Sequence, residues 1–187
     1  MNIWLSSVLA TALVLFAACN SHQQRLPSHA PQDTTASVVN TVTIEGPAEA
    51  VFDLVTTARF WPQWHPATTG VSGVTQRPYR LGERINERGC IGKGEFDVIW
   101  KVTEYVRPRR VVLHSERSPV QISYSFNSHG AATEFTRELK YKVEDLKTIA
   151  SNPNEVERLM RTQSEQAVNQ LKALVEKILR EEKINAQ

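Results

Sequence analysis

From residue 38 onward the chain is written in two hydrophobic periods. The stretch VVNTVTIE alternates and is rich in β-branched residues, which predicts a strand over 38–45. In GPAEAVFDLVTTA the apolar residues Ala48, Val51, Phe52 and Val55 share one helical face, and Pro47 suits a first helical position. Six further runs predict strands near 70–75, 82–91, 94–107, 109–117, 120–127 and 131–143. The breaks between the later runs carry turn chemistry: Gly92-Lys93-Gly94, Arg107-Pro108, Ser118-Pro119 and Ser128-His129-Gly130. Short turns imply an antiparallel meander, because parallel neighbours need long crossovers.

The last period is helical. Asn152 can cap, Pro153 can take the first helical position, and Glu155 stands where a capping-box acid belongs. Val156, Leu159, Met160, Ala167, Leu171, Leu174, Val175 and Ile178 then form one stripe. A helix of about thirty residues is about 45 Å long. So long a stripe needs a partner, and the only large surface on offer is the sheet. The fold class is therefore α+β.

Between the first helix and the second strand lies ARFWPQWHPATTG, an irregular or short helical segment that carries Trp61 and Trp64 beside His65. Two large rings in such a place predict either a hydrophobic plug under the long helix or a lid over a ligand. One ring is assigned to each role, and the sequence does not say which. His65 and the prolines shape the turn.

The N-terminal region follows neither period. Residues 1–18 contain no charged side chain and end on Ala17 and Ala18 before Cys19, the pattern of an export signal. The segment LFAAC resembles the lipobox of bacterial lipoproteins, which would make Cys19 the lipidated first residue of the mature chain. Residues 19–37 are polar and poor in large apolar side chains, so they read as a flexible tether leading to a domain over 38–187. The expected location is the cell envelope, as a membrane-anchored lipoprotein; the alternative is a periplasmic or secreted protein.

Charge narrows the partners. With 22 basic and 20 acidic residues the chain lacks the basic excess of a nucleic-acid binder, and RPRR at 107–110 reads as a solvated turn. The two cysteines and five histidines match no zinc motif, and GCIGKG lacks the spacing of a phosphate loop. No metal or cofactor is expected, and the sequence sets no oligomeric state.

Strand alternation gives the faces. Phe96, Val98, Trp100 and Val102 share one side; Val111, Leu113 and Ser115, then Val120, Ile122, Tyr124 and Phe126, do the same in the next strands. Two charges interrupt such rows: Arg137 among Phe135, Leu139 and Tyr141, and Glu87 with Ile85 and Ile91. A charge in an apolar row is costly unless paired or hydrated. Either the two meet inside, or one or both reach water at a strand end.

The order strand, two short helical pieces, six strands, long helix resembles the helix-grip fold of the START-like (SRPBCC) superfamily, which includes polyketide cyclases/dehydrases and lipid-transport proteins. The residues carrying the resemblance are TIEGPAEAVFDLVTTARFWPQWHP, LGERI and FDVIWKVTEYVRPRRVVLHS. It implies a curved antiparallel sheet wrapped around the C-terminal helix, with a cavity between them. The candidate lining is then Trp61, Trp64, Glu87, Phe96, Val98, Trp100, Leu113, Tyr124, Arg137 and Met160. The expected function is binding or transport of a small hydrophobic ligand such as a lipid, isoprenoid or polyketide-like molecule. The alternative is a cyclase or dehydratase using a cavity acid or base, with Glu87 and then Tyr124 as the candidates; no catalytic residue is assigned.

Overall fold

The computed structural model describes residues 35–146, 149–150 and 152–185, so the predicted signal, Cys19 and most of the predicted tether lie outside the described residues. Among the described residues, seven strands form one antiparallel sheet. They are β1 (Thr35–Ile44), β2 (Thr68–Gly73), β3 (Arg84–Ile91), β4 (Gly94–Val106), β5 (Arg110–Ser115), β6 (Gln121–His129) and β7 (Ala132–Lys142). Their spatial order is β1-β7-β6-β5-β4-β3-β2, so the meander of β2 to β7 is closed by β1 pairing with the last strand. Between β1 and β2 come α1 (Ala48–Thr56), a 3-10 turn over Ala58–Phe60 and α2 (Trp61–Trp64); α3 (Pro153–Asn185) ends the fold. This is the helix-grip arrangement. Among the described residues no helix is long and apolar enough to cross a membrane.

The strand ends differ from the predicted ones for local reasons. β1 starts at Thr35, within the predicted tether, because its ladder with β7 runs on to the Thr35–Lys142 pair. β2 stops at Gly73, where a φ of 88° turns the chain out of the sheet. β3 starts two residues after Gly82, whose φ of 82° excludes it from a strand. Pro47 sits one place outside α1, with its carbonyl accepting from the amides of Ala50 and Val51 at 3.0 and 3.2 Å.

Register sorts the molecule into two ends. At one end lie the start of β1, the β3–β4 turn, the β5–β6 connection and the end of β7, since Thr35 faces Lys142, Ile91 faces Gly94 and His114 faces Gln121. The first turns of α3 are here, with Leu159 beside Gly92. At the other end lie the β4–β5 and β6–β7 turns and the end of β1. There the Glu45 amide donates to Glu176 at 3.0 Å and the Lys172 ammonium donates to the Thr43 carbonyl at 2.5 Å, pinning the second half of α3. Phe52, Phe126, Phe135, Val111, Leu113 and Val51 are buried toward this second end.

Candidate ligand-binding site

A cavity of about 270 Å³ lies between α3 and the first end of the sheet. Its walls are apolar: Ile91 of β3, Phe96, Val98 and Trp100 of β4, Ile122 of β6, Leu139 of β7 and Met160 of α3. Val120, Leu146 and Ile149, with Arg117 and Ser118 of the β5–β6 connection and the exposed Asp97 of β4, also line the cavity. The volume falls just under the roughly 300–1,000 Å³ usual for drug-sized ligands. It suits a small ring system or one short chain, and is too small for a two-chained lipid.

The inner end is polar and connected. The Arg137 guanidinium donates to Ser164 Oγ at 2.7 Å and to His65 Nε2 at 3.2 Å. An arginine can only donate, so His65 Nε2 accepts and the ring hydrogen sits on Nδ1. Nδ1 lies 3.0 Å from Thr68 Oγ1, to which it donates. The Thr68 hydroxyl donates in turn to Glu87 Oε1, and the Trp100 indole donates to Glu87 Oε2 at 2.7 Å. One line of hydrogen bonds thus runs from the buried cation through His65 and Thr68 to the buried carboxyl. Glu87 and Arg137 do meet inside, but through two intermediaries rather than as a contact pair.

Each titratable group is shifted by that setting. Burial, with the Arg137 charge adding to it, lowers His65 to about 3. The ring is therefore neutral at physiological pH, as its acceptor role requires. Burial raises Glu87, opposed by the hydrogen bonds from Thr68 and Trp100 and by the charge of Arg137. Burial pushes Tyr124 up to about 12, against the pull of Arg137. Two buried polar atoms in the lining find no partner among the described residues: Arg137 Nε and Gln163 Oε1.

Of the ten candidate lining residues, Glu87, Phe96, Val98, Trp100, Arg137 and Met160 border the cavity. Trp61, Trp64, Leu113 and Tyr124 do not. Leu113 is wholly buried two residues before Ser115 in β5, and it is Ser115 that borders the cavity. Alternation gives a side chain's face but not how far along the face the cavity extends. Both tryptophans are buried, as a plug requires, and neither borders this cavity. Trp61 is 3 % exposed, donates to the Val55 carbonyl at 3.0 Å and meets Tyr79 edge-on; Trp64 is 1 % exposed and meets Tyr124 edge-on. Both rings, with Tyr124, wall a space of about 10 Å³ behind His65 and Glu87, so they seal the polar line from the far side.

Four polar site residues, Ser164, Gln163, His65 and Thr68, escaped the sequence reading. Ser164 falls four residues after Met160 in the apolar stripe of α3, the same sign of a polar group facing inward that marked Arg137. Gln163 borders the cavity beside it. His65 had no such sign, since it lies in the connection after α2, where no period applies.

A curved sheet gripping a long helix over an internal cavity defines the class, and the family follows from the sequence. The family model described as "Polyketide cyclase / dehydrase and lipid transport" matches residues 35–176, and the chain belongs to that family. Among solved structures it is similar to the Zhui aromatase/cyclase from Streptomyces sp. R1128 (13% identity, TM-score 0.63, covering 78% of this chain and 96% of that one). It is also similar to a START superfamily protein from Mycobacterium smegmatis (18% identity, TM-score 0.62, 76% and 98%). A third likeness is to major latex-like protein 151 from Panax ginseng (11% identity, TM-score 0.54, 75% and 97%). At these identities the likeness is one of fold. No curated protein matches the chain.

Proposed function

We propose that the protein binds a small, mostly hydrophobic molecule with one hydrogen-bonding polar end, and carries or presents it at the cell envelope. The observation that carries this reading is the apolar cavity ending on the Arg137–His65–Thr68–Glu87 line. Arg137 has a buried donor without a protein partner, and Gln163 a buried acceptor. A ligand hydroxyl, carbonyl or amide meets such a need at the inner end while its apolar body lies along Ile91, Phe96, Val98 and Met160. The envelope location rests on residues 1–19, whose apolar run and LFAAC end fit a lipoprotein signal.

Native mass spectrometry of the full chain, extracted gently from its host membrane, tests the reading. A stoichiometric adduct that disappears in Arg137→Leu, with the fold intact, is the expected result. Binding unchanged by that substitution would remove Arg137 from the site.

A second reading is a cyclase or dehydratase in which Glu87 moves a proton, favoured by a carboxyl raised by burial at the cavity wall. Against it, both Glu87 oxygens already accept hydrogen bonds, and His65 is too weak a base to assist. Turnover of a polyketide-like substrate that is lost in Glu87→Gln would establish this reading over simple binding.

A further inference from the structure

The lining of the cavity leaves two hydrogen-bonding groups of opposite kind unmet. Arg137 Nε is a buried donor and Gln163 Oε1 a buried acceptor; neither has a partner among the described residues, and both residues border the cavity. Asn40 Oδ1 is likewise unpartnered, but Asn40 stands outside the lining. Gln163 lies in α3 one residue before Ser164, which accepts from Arg137, so one contact of α3 with β7 brings both groups to the cavity. An amide with its oxygen inward suits that neighbour, because the reversed amide would set a second donor beside the cation.

We infer that the polar end of the ligand is an uncharged hydroxyl, and that Gln163 selects it. The inference rests on the ligand-binding reading above. A hydroxyl oxygen accepts from Arg137 Nε while its hydrogen goes to Gln163 Oε1, so one atom answers both needs. Other polar ends answer them less well. A ketone, ester or ether has no hydrogen for Gln163, an ammonium cannot accept from Arg137, and a primary amide brings two hydrogens where one acceptor waits. A carboxylate is the end that a buried arginine first suggests, and it is held best by two parallel guanidinium N–H groups. Yet both terminal nitrogens of Arg137 already donate inside the protein, to Ser164 and His65. The carboxylate also has no hydrogen for Gln163. A buried group left unmet costs more than a made bond gains, so the hydroxyl is preferred through what its rivals leave open. The ligand class is thus a small phenol or alcohol rather than an acid.

The test uses the full chain in a neutral detergent and a set of probes sharing one ring system: 2-naphthol, 2-methoxynaphthalene, naphthalene-2-carboxylate and naphthalene. Equilibrium dialysis against protein-free micelles at neutral pH reads each affinity. 2-Naphthol is expected to bind about tenfold more tightly than the methoxy compound, and the carboxylate no better than naphthalene. In Gln163→Met the hydroxyl preference should fall to about twofold or less, with the methoxy compound bound as before. That ratio, taken within one variant, does not move with a general loosening of the fold, and Gln163→Leu repeats it should the methionine variant fail to fold. Equal binding of 2-naphthol and its methyl ether, tightest binding of the carboxylate, or a preference retained in Gln163→Met overturns the inference and leaves the binding reading standing. No binding by any probe, or naphthalene binding that survives Met160→Trp, overturns the binding reading and the inference with it.

Discussion

Replacing Arg137 by leucine isolates the physics of the inner end. Arg137 is 2 % exposed and Glu87 5 %, and the line between them lets each charge offset the other. Removing one member of a buried pair costs about 3–5 kcal/mol, because the survivor is left uncompensated. Here His65 and Thr68 intervene, so we expect the lower end, about 3 kcal/mol, at pH 8. The survivor can escape by taking a proton. Glu87 is already raised by burial, and losing the opposing charge of Arg137 raises it further. A carboxyl whose folded pKa lies above its unfolded value, about 4.3, stabilises the fold at pH below the unfolded value, and this contribution is lost as pH rises through the folded one. His65 acts in the same sense, since loss of Arg137 relieves part of its depression and lets it take a proton at low pH. The penalty of Arg137→Leu is therefore expected to shrink to about half between pH 8 and pH 5. Urea unfolding at both pH values, with unchanged m, reads it directly. Adding Glu87→Gln to Arg137→Leu should recover about 1–2 kcal/mol at pH 8 and little at pH 5. A penalty equal at both pH values, or larger at pH 5, would refute the coupling.

Three further outcomes follow from the same structure. His65 stays neutral in the fold down to about pH 3, so wild-type stability falls as pH drops below the unfolded value of 6.5; this limb amounts to about 2–3 kcal/mol by pH 4.5 and should be absent from the acid unfolding curve of His65→Gln. Gly89→Ala drives a methyl into the Ala67 carbonyl, which is held by the Cys90 amide at 2.9 Å, and into the Phe96 ring; the expected loss is about 2 kcal/mol, or roughly 4–8 °C in Tm by calorimetry, and an unchanged Tm would contradict that packing. Met160→Trp fills the cavity from α3, so the ligand adduct should vanish from the native mass spectrum while the circular dichroism spectrum is kept; an adduct that persists would place the ligand elsewhere.

Much of this could be read from the sequence, and the rest was hidden for identifiable reasons. The meander and the long helix were legible because their two periods are regular over many residues and their turns carry Gly and Pro. Arg137 and Glu87 were legible as interruptions of apolar rows. The depth of the cavity was not, because Leu113 and Ser115 share a face and differ only in how α1, α2 and α3 cover it. The sequence placed one tryptophan inside; that both are buried was hidden for a related reason, since the carbonyl of Val55 and the rings of Tyr79 and Tyr124, which hold the indoles, come from other elements. His65 was invisible because its role depends on β7 and β3 arriving on either side of it, a matter of tertiary placement alone.

The burial of the two tryptophans changes what the inner end can do. Trp61, Trp64 and Tyr124 close the far side to about 10 Å³, while the near side borders the cavity beside Ser164. Between these buried groups a neutral imidazole is the group that can accept from a cation and pass a hydrogen toward a carboxyl without adding a third charge. The line is thereby fixed in one direction, with donors at the Arg137 end and acceptors at the Glu87 end. Polar ends that accept from Arg137 are favoured, and a second cation beside it is excluded. In the proposed binding reading, the polar end is chosen by the donors of Arg137, whose partner His65 is held in one tautomer, and the body by the apolar walls of the cavity.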